Sequence, residues 1–370
     1  MKCDVAIVGC GVVGAAIAYE LAKANLSVVA IDAGHPAEGA TGAALGVMMA
    51  VATQQAQGDV VDLRLNSLQR FDPLIAELED ALRRSLPVNR RGLLRPIALD
   101  QWPKWEAAIA ARRAAGYDLE VIEKADIQHL QPELAGWEIG LFSPSDRQIE
   151  PRVFALALLE AARQRGAIAR FHAPVQAVKI RGDRVAALYT PTETIACGTA
   201  IVAAGVGSKL VGDMLGAPVP VVPVKGEAVR VRAPELSGGA AIAAADINLV
   251  PLPDGSHWIG ATVEFNPVSP HPSVAGIQAV LQRAIALCPA IAQAELQDYW
   301  AGYRPRPSGQ RAPILGNVPG LQNAILATGH YRNGVLLAPI TAIAIRDLVL
   351  HGSTTACNLA SFAPRSPERE

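Results

Sequence analysis

The segment Gly9-Cys10-Gly11-Val12-Val13-Gly14 carries glycines at the spacing that seats a pyrophosphate on a helix N-terminus. The first glycine permits a tight turn. The second lets the backbone approach the phosphates, and the third lets the helix pack on its strand. Asp32 closes the next apolar run, where its carboxylate can accept hydrogen bonds from ribose hydroxyls. The same charge would repel a 2′-phosphate, which disfavours NADP. Far downstream, Gly302-Tyr303-Arg304-Pro305 and Gly329-His330-Tyr331-Arg332-Asn333-Gly334 each place an arginine in a glycine-containing turn or strand. A guanidinium offers a planar fork to a carboxylate and fixes both its charge and its orientation. Arg306 competes with Arg304 for that role, and the Gly-Tyr-Arg-Pro context favours Arg304. Lys225 and Glu227 read equally well as a site pair or as a solvated pair at a strand edge. His330 reads equally well as a neighbour of a bound ring or as a packing histidine. No Ser-His-Asp set and no clustered metal ligands compete with these residues, and no metal is expected.

The elements that must position them follow from pattern. Val5–Val8 is a β-branched run typical of a buried parallel strand, Ala15–Ala24 turns helical, and Leu26–Ile31 is a second apolar strand. This makes one strand–helix–strand unit ending at Asp32. The small, polar stretch Gly39–Gly46 follows, where backbone N–H groups can approach an extended ligand and where a nicotinamide enzyme would have a helix. Val60–Leu82 reads as an amphipathic helix containing Pro73. Strands are expected at 91–99, 167–171, 175–181, 185–189 and 199–204, with helices at 102–115 and 153–165. The stretch 219–301 is rich in proline and β-branched residues, with runs at 221–224, 229–231 and 258–260, and reads as a mostly antiparallel sheet. A helix capped by Ser273 covers it over 274–287. A last apolar helix is expected from Pro339 to Leu350, and the polar residues 364–370 are expected to fray.

The chain of 370 residues is 51% hydrophobic and 18% charged, which supplies a large core and excludes disorder. Its formal net charge of -1 gives no electrostatic case for nucleic acid or an anionic membrane. Cys3, Cys10, Cys197, Cys288 and Cys357 show no paired spacing, which points to a reducing compartment. Ile7-Val8-Gly9-Cys10 looks superficially like a lipoprotein cleavage box, but Asp4 interrupts the apolar run and a strand explains it better. No transmembrane span is read, because glycine or proline breaks every long apolar stretch.

The opening unit, the Gly39–Gly46 loop, Pro223-Val224-Lys225-Gly226-Glu227, and the Arg304 and Arg332 motifs together resemble the D-amino-acid oxidase superfamily, in the same order along most of the chain. Within it they are most similar to the glycine oxidase branch of the thiamine thiazole pathway. The run from His330 to Pro339 is the most specific part. The resemblance implies an α/β, α+β two-domain fold of the D-amino-acid oxidase/glutathione-reductase-2 type. A discontinuous Rossmann-like FAD domain would span 1–84, 140–218 and 302–370. A substrate domain with an antiparallel sheet would span 85–139 and 219–301. It also implies FAD contacts at Gly9, Gly11, Val12, Val13, Gly14, Asp32, Ala33, Ala40, Thr41, Leu45, Gly46, Val47, Val175 and Gly205. The segment His330, Tyr331, Arg332, Asn333, Gly334, Val335 and Leu336 would wrap the flavin, with Arg304, Arg332 and Asn248 on the substrate.

The implied chemistry is hydride removal from the amine-bearing carbon to flavin N5, with electrons passed on to oxygen and the imine hydrolysed. A small amine or amino acid and oxygen are the implied partners, in a cytoplasmic homo-oligomer. No dedicated general base is required if the amine is already neutral. No cysteine lies in 329–337, so FAD is expected to be non-covalent. Asn248 stands where glycine oxidases carry tyrosine, and Gly42 where serine is common. These departures leave the substrate open between glycine and other small amines. A quinone-coupled D-amino-acid or N-methyl-amino-acid dehydrogenase, and an FAD-binding protein without turnover, are the alternatives. Replacing Asp32 with alanine should lower the flavin content of purified protein; unchanged content would remove the ribose assignment.

Overall fold

The computed structural model describes all residues except 135, 234, 235, 237, 238, 312 and 366–370. Most of the tail read as frayed therefore lies outside the described residues. The opening strand Lys2–Val8 sits mid-sheet, parallel to Thr194–Val202 on one side and Val28–Ile31 on the other. Ile168–Arg170 and Ala324–Thr328 extend this parallel core at its two sides. Its strands read as continuous apolar runs because helices cover them. The helices Val12–Lys23, Asp59–Leu82, Pro151–Gln164 and Gly334–His351 bury one shared core. Ile7, Ile17, Phe71 and Phe154 are fully buried there, each contributing roughly 1.5–3 kcal/mol.

A second sheet is built around the long strand Val221–Arg232, which pairs antiparallel with Glu295–Pro307, Ser256–Gly260 and Glu264–Phe265. The runs at 221–224 and 229–231 are thus one strand. Pro223 lies opposite Pro305, so two residues lacking an N–H share one ladder position. The sheet continues through Asn248–Pro251, Ala241–Ala243, Leu93–Ile97, Ile139–Ser143 and Glu120–Glu123. It is antiparallel apart from the parallel pairing of Ala241–Ala243 with Leu93–Ile97. The helix Val274–Leu287 covers its outer face, and the Ser273 hydroxyl accepts the Gly276 N–H as its cap.

Two helices differ from expectation. In 102–115 a tight 3-10 turn, Leu99–Trp105, precedes the α-helix Glu106–Ala114, because Pro103 lacks the N–H an α-helical interior would use. The last helix begins at Gly334, ahead of Pro339. Ser67, fully buried on Asp59–Leu82, accommodates this proline. Its hydroxyl donates to the Leu336 carbonyl at 2.5 Å and accepts the Ile340 N–H at 3.3 Å. A hydroxyl is thereby inserted into the helical ladder where the proline disturbs it. This helix is long and apolar enough to cross a membrane by composition, yet 61% of it is buried in the fold.

A buried carboxylate that the sequence did not single out ties the layers together. Asp146 accepts the N–H groups of Ala50, Val51 and Ala52 at 2.8–2.9 Å. Burial pushes its pKa up and those three donors oppose the shift. Arg112, equally buried, holds the following residues through Thr53 and the carbonyls of Gln55 and Ala56. Asp146→Asn should therefore cost about 1–3 kcal/mol of stability by leaving donors facing donors, read as a lower chemical-denaturation midpoint. An unchanged midpoint would show that the carboxylate does not order this loop.

Candidate active site

A cavity of about 410 Å³ opens at the carboxyl ends of the parallel strands and runs to the second sheet. Its first part is glycine-built. A Cβ on Gly14 would sit 1.9 Å from the Gly9 carbonyl oxygen, and Gly9 itself has φ +109°. Only glycines allow this turn and this approach of helix to strand. Thr41 reaches back from the Gly39–Gly46 loop, and its hydroxyl accepts the Val12 N–H at 3.0 Å, bracing the first helix N-terminus. Asp32 accepts the Cys10 N–H at 2.7 Å and the Gly34 N–H at 3.0 Å, so it shapes the glycine turn while its carboxylate borders the cavity.

The structure brings nearly all of the expected residues to this one wall. Gly9, Gly11, Val12, Val13, Asp32, Ala33, Ala40 and Thr41 line one part. Leu45, Gly46, Val47, Val175 and Gly205 also line it, as do Asn248, Arg304, His330, Tyr331, Arg332, Gly334 and Val335. Gly14, Asn333 and Leu336 do not. Gly14 packs against Gly9, the Asn333 N–H donates to the His330 carbonyl, and Leu336 is core. Tyr303 and Gly226 line the wall without having been assigned a role from sequence. None of the cysteines lines it among the described residues. Because the last helix begins at Gly334, a second helix N-terminus faces the cavity beside the first, and both favour negative charge.

At the second sheet, Arg304 lies flat over Gly226, where a Cβ would come within 2.2 Å of its guanidinium. Its Nη1 donates to the carbonyls of Lys225 and Thr262 at 3.2 and 3.0 Å. Burial, and then the charge of Arg332, pull Arg304 down to about 10, so it remains a cation at neutral pH. Neither arginine has a carboxylate within ion-pair distance among the described residues. Arg306 instead lies over the Phe265 ring, off the cavity. Lys225 and Glu227 are not a solvated pair. Both are buried, Lys225 bridges Glu227 and Glu264 at 2.9 and 2.8 Å, and Glu227 also accepts from Ser273. Their strand has partners on both edges, and the start of the covering helix at Ser273 and Gly276 packs directly on the Glu227 carboxylate. The Trp300 indole donates to the Ala43 carbonyl at 3.1 Å and pins the loop between the sheets.

The match to known proteins accords with this geometry. The family model described as "FAD dependent oxidoreductase" (DAO) matches residues 4–348. The chain belongs to the DAO family of FAD-dependent oxidoreductases. It is 35% identical over 98% of its length to a bifunctional ThiO/ThiG protein of a Synechocystis species, of which it spans 54%. It is 32% identical to a glycine oxidase of Geobacillus kaustophilus, with 97% of this chain and 96% of that one covered. The crystal structure of glycine oxidase from Geobacillus kaustophilus superposes with a TM-score of 0.91 at 31% identity, covering 98% of each chain. The cofactor is FAD, and the glycine turn at the first helix N-terminus has the chemistry to seat a pyrophosphate.

His330 settles as a buried wall residue whose Nε2 lies 3.0 Å from the Thr341 hydroxyl. Burial lowers its pKa from 6.5 to about 3, so it is neutral in the folded protein. Below pH 6.5 the unfolded chain takes up a proton that the folded chain refuses, so this stability is lost as pH falls towards about 3. Thermal melting should weaken across that window, and His330→Gln should flatten the decline relative to the parent. Parallel pH profiles for the two proteins would contradict this.

Proposed function

We propose that this protein catalyses FAD-dependent oxidative deamination of glycine or a similarly small amino acid. The products are the 2-oxo acid, ammonia and hydrogen peroxide, with water and dioxygen consumed. The curated relatives named glycine oxidase and ThiO/ThiG support this, and with them a role in making the thiazole of thiamine. The chain spans about half the length of the ThiO/ThiG relative, so that role is proposed for this portion alone. The observation that carries the reading is the pair Arg304 and Arg332, two guanidiniums on the wall of the flavin cavity without acidic partners among the described residues.

When bound, FAD supplies a hydride acceptor and a route for electrons to dioxygen. The protein's part is to place and prepare the amine. Arg304 is held by two carbonyls and lies in a fixed plane, which orients the substrate carboxylate. Arg332 supplies a second, unpaired guanidinium on the same wall. Positive charge here stabilises the carboxylate and disfavours the ammonium form, so the amine is kept neutral without a dedicated base. Asp32 is the acidic residue on the wall and belongs to the glycine turn, away from Arg304. Asn248 donates to the Gly260 carbonyl at 3.2 Å and leaves its amide oxygen for the substrate side.

The division into an FAD domain at 1–84, 140–218 and 302–370 and a substrate domain at 85–139 and 219–301 belongs to the same proposal. The two sheets support it, with strands 139–143 and 295–307 pairing in the second sheet across the drawn edges. The unpaired thiols support a reducing, cytoplasmic setting. Homo-oligomerisation is part of the proposal, supported by exposed Phe265, Val268 and Val274.

Anaerobic addition of glycine to the FAD-loaded protein should bleach the flavin, and air should restore it with peroxide released. No bleaching by any small amino acid would defeat the proposal. Slow reoxidation by oxygen but fast reoxidation by quinone would reassign the acceptor. Arg332→Ala should raise KM while FAD stays bound, because losing a charge-assisted contact costs about 2–4 kcal/mol. An unchanged KM would place the carboxylate elsewhere.

A further inference from the structure

A third arginine stands on the substrate side of the fold. Across the second sheet one row runs Ala228, Gly260, Asn248 and Ala243, each paired with the next. Ala241 and Ile242 pair in parallel with Leu93 and Leu94, so Ala243 is level with Arg95. Successive residues of a strand face opposite ways. Leu94, Ile242 and Leu249 pack with Val274–Leu287 on the outer face. Arg95 and Asn248 therefore rise from the inner face, which carries the cavity. The residues between and beside them are the smallest available, so the row is a low floor with Asn248 and Arg95 standing on it.

Arg95 is poorly partnered for a half-buried guanidinium. It lies over the Trp105 ring at 4.8 Å, and its Nη1 is 2.9 Å from the Met49 sulfur. A thioether is a weak acceptor on a flexible side chain. No carboxylate among the described residues is within ion-pair distance of it. Met49 follows directly on Val47 and Met48, and Val47 lines the cavity. The thioether contact of Arg95 is thus two residues along the chain from a wall residue, on a side chain that can adapt. Burial, and then Arg332, lower Arg95 to about 10 while the more distant Asp146 carboxylate opposes them, so it keeps its charge at neutral pH and senses Arg332.

We propose that Arg95 binds a second carboxylate, and that the enzyme accepts amines bearing two acidic groups, such as an N-carboxymethyl amino acid or an amino diacid. One carboxylate sits on Arg304 and Arg332, and the other displaces the Met49 thioether from Arg95. Asn248, shorter than the tyrosine expected at its position, leaves the intervening room. The assignment rests on the amine-oxidation reading of the same site, deepening its substrate class.

Binding of unreactive ethers tests this separately from turnover. Diglycolate carries two carboxylates joined through an ether oxygen, and methoxyacetate keeps only one. Both are titrated into the FAD-loaded protein, with flavin absorbance reporting occupancy. Diglycolate should bind about ten- to hundredfold more tightly than methoxyacetate. Arg95→Gln should bring that ratio close to one while methoxyacetate affinity holds, and Arg95→Lys should keep much of it. A ratio near one in the parent protein, or a ratio that survives Arg95→Gln, overturns the proposal. If Arg95→Gln fails to load flavin, Arg95→Lys decides: a collapsed ratio there counts against Arg95 as a charge-based contact. Absence of bleaching by glycine, other small amino acids and amino diacids alike would sink the amine-oxidase reading alone, because the ether ratio is measured without turnover.

Discussion

The approach of Gly14 to the Gly9 carbonyl is the contact on which the other features of the site rest. It brings the first helix against the opening strand and points that helix's free N–H groups at the cavity. Thr41 can then reach Val12, and Asp32 can reach Cys10, only because the turn is this tight. Any side chain at Gly14 would push the helix away and dissolve both braces. The loop that carries Thr41 is held in turn by Trp300 from the second sheet. The cofactor cradle and the substrate wall are thus one mechanical unit.

Charge divides the cavity into complementary parts. Helix N-termini offer partial positive charge without side chains, which suits a phosphate that must be held close. Arg304 of the second sheet and Arg332 in the turn before the last helix offer full guanidinium charges, which suit a carboxylate that must be oriented. Lys225 is engaged by Glu227 and Glu264, which leaves neither carboxylate within ion-pair distance of Arg304 among the described residues. The cation count on the wall is a property of the substrate side and not of general surface charge, since the whole chain is near neutral.

How much of this could be read from the residues follows from how local each feature is. The glycine turn, its helix and Asp32 are consecutive, so spacing alone located them. Arg304 and Arg332 sat in short motifs with unusual neighbours. By contrast, Asp146 meets Ala50 to Ala52 across 94–96 residues, and Ser67 meets Leu336 across 269. No periodicity announces such partners, because they are set by layer packing. Pro339 reads as a helix start because a proline inside a helix is costly. A hydroxyl on a distant helix removed part of that cost. Arg95 carries no signal of its own in the sequence, because its position depends on register across neighbouring strands, which a single strand's pattern does not contain.

The two helix N-termini that face the cavity begin at Val12 and Gly334, near opposite ends of the described chain. A ribosome therefore releases the glycine turn long before the Gly334 segment of the cavity wall exists. A nascent chain arrested before Gly334 would present a well-formed glycine turn and still lack the wall that retains its cofactor.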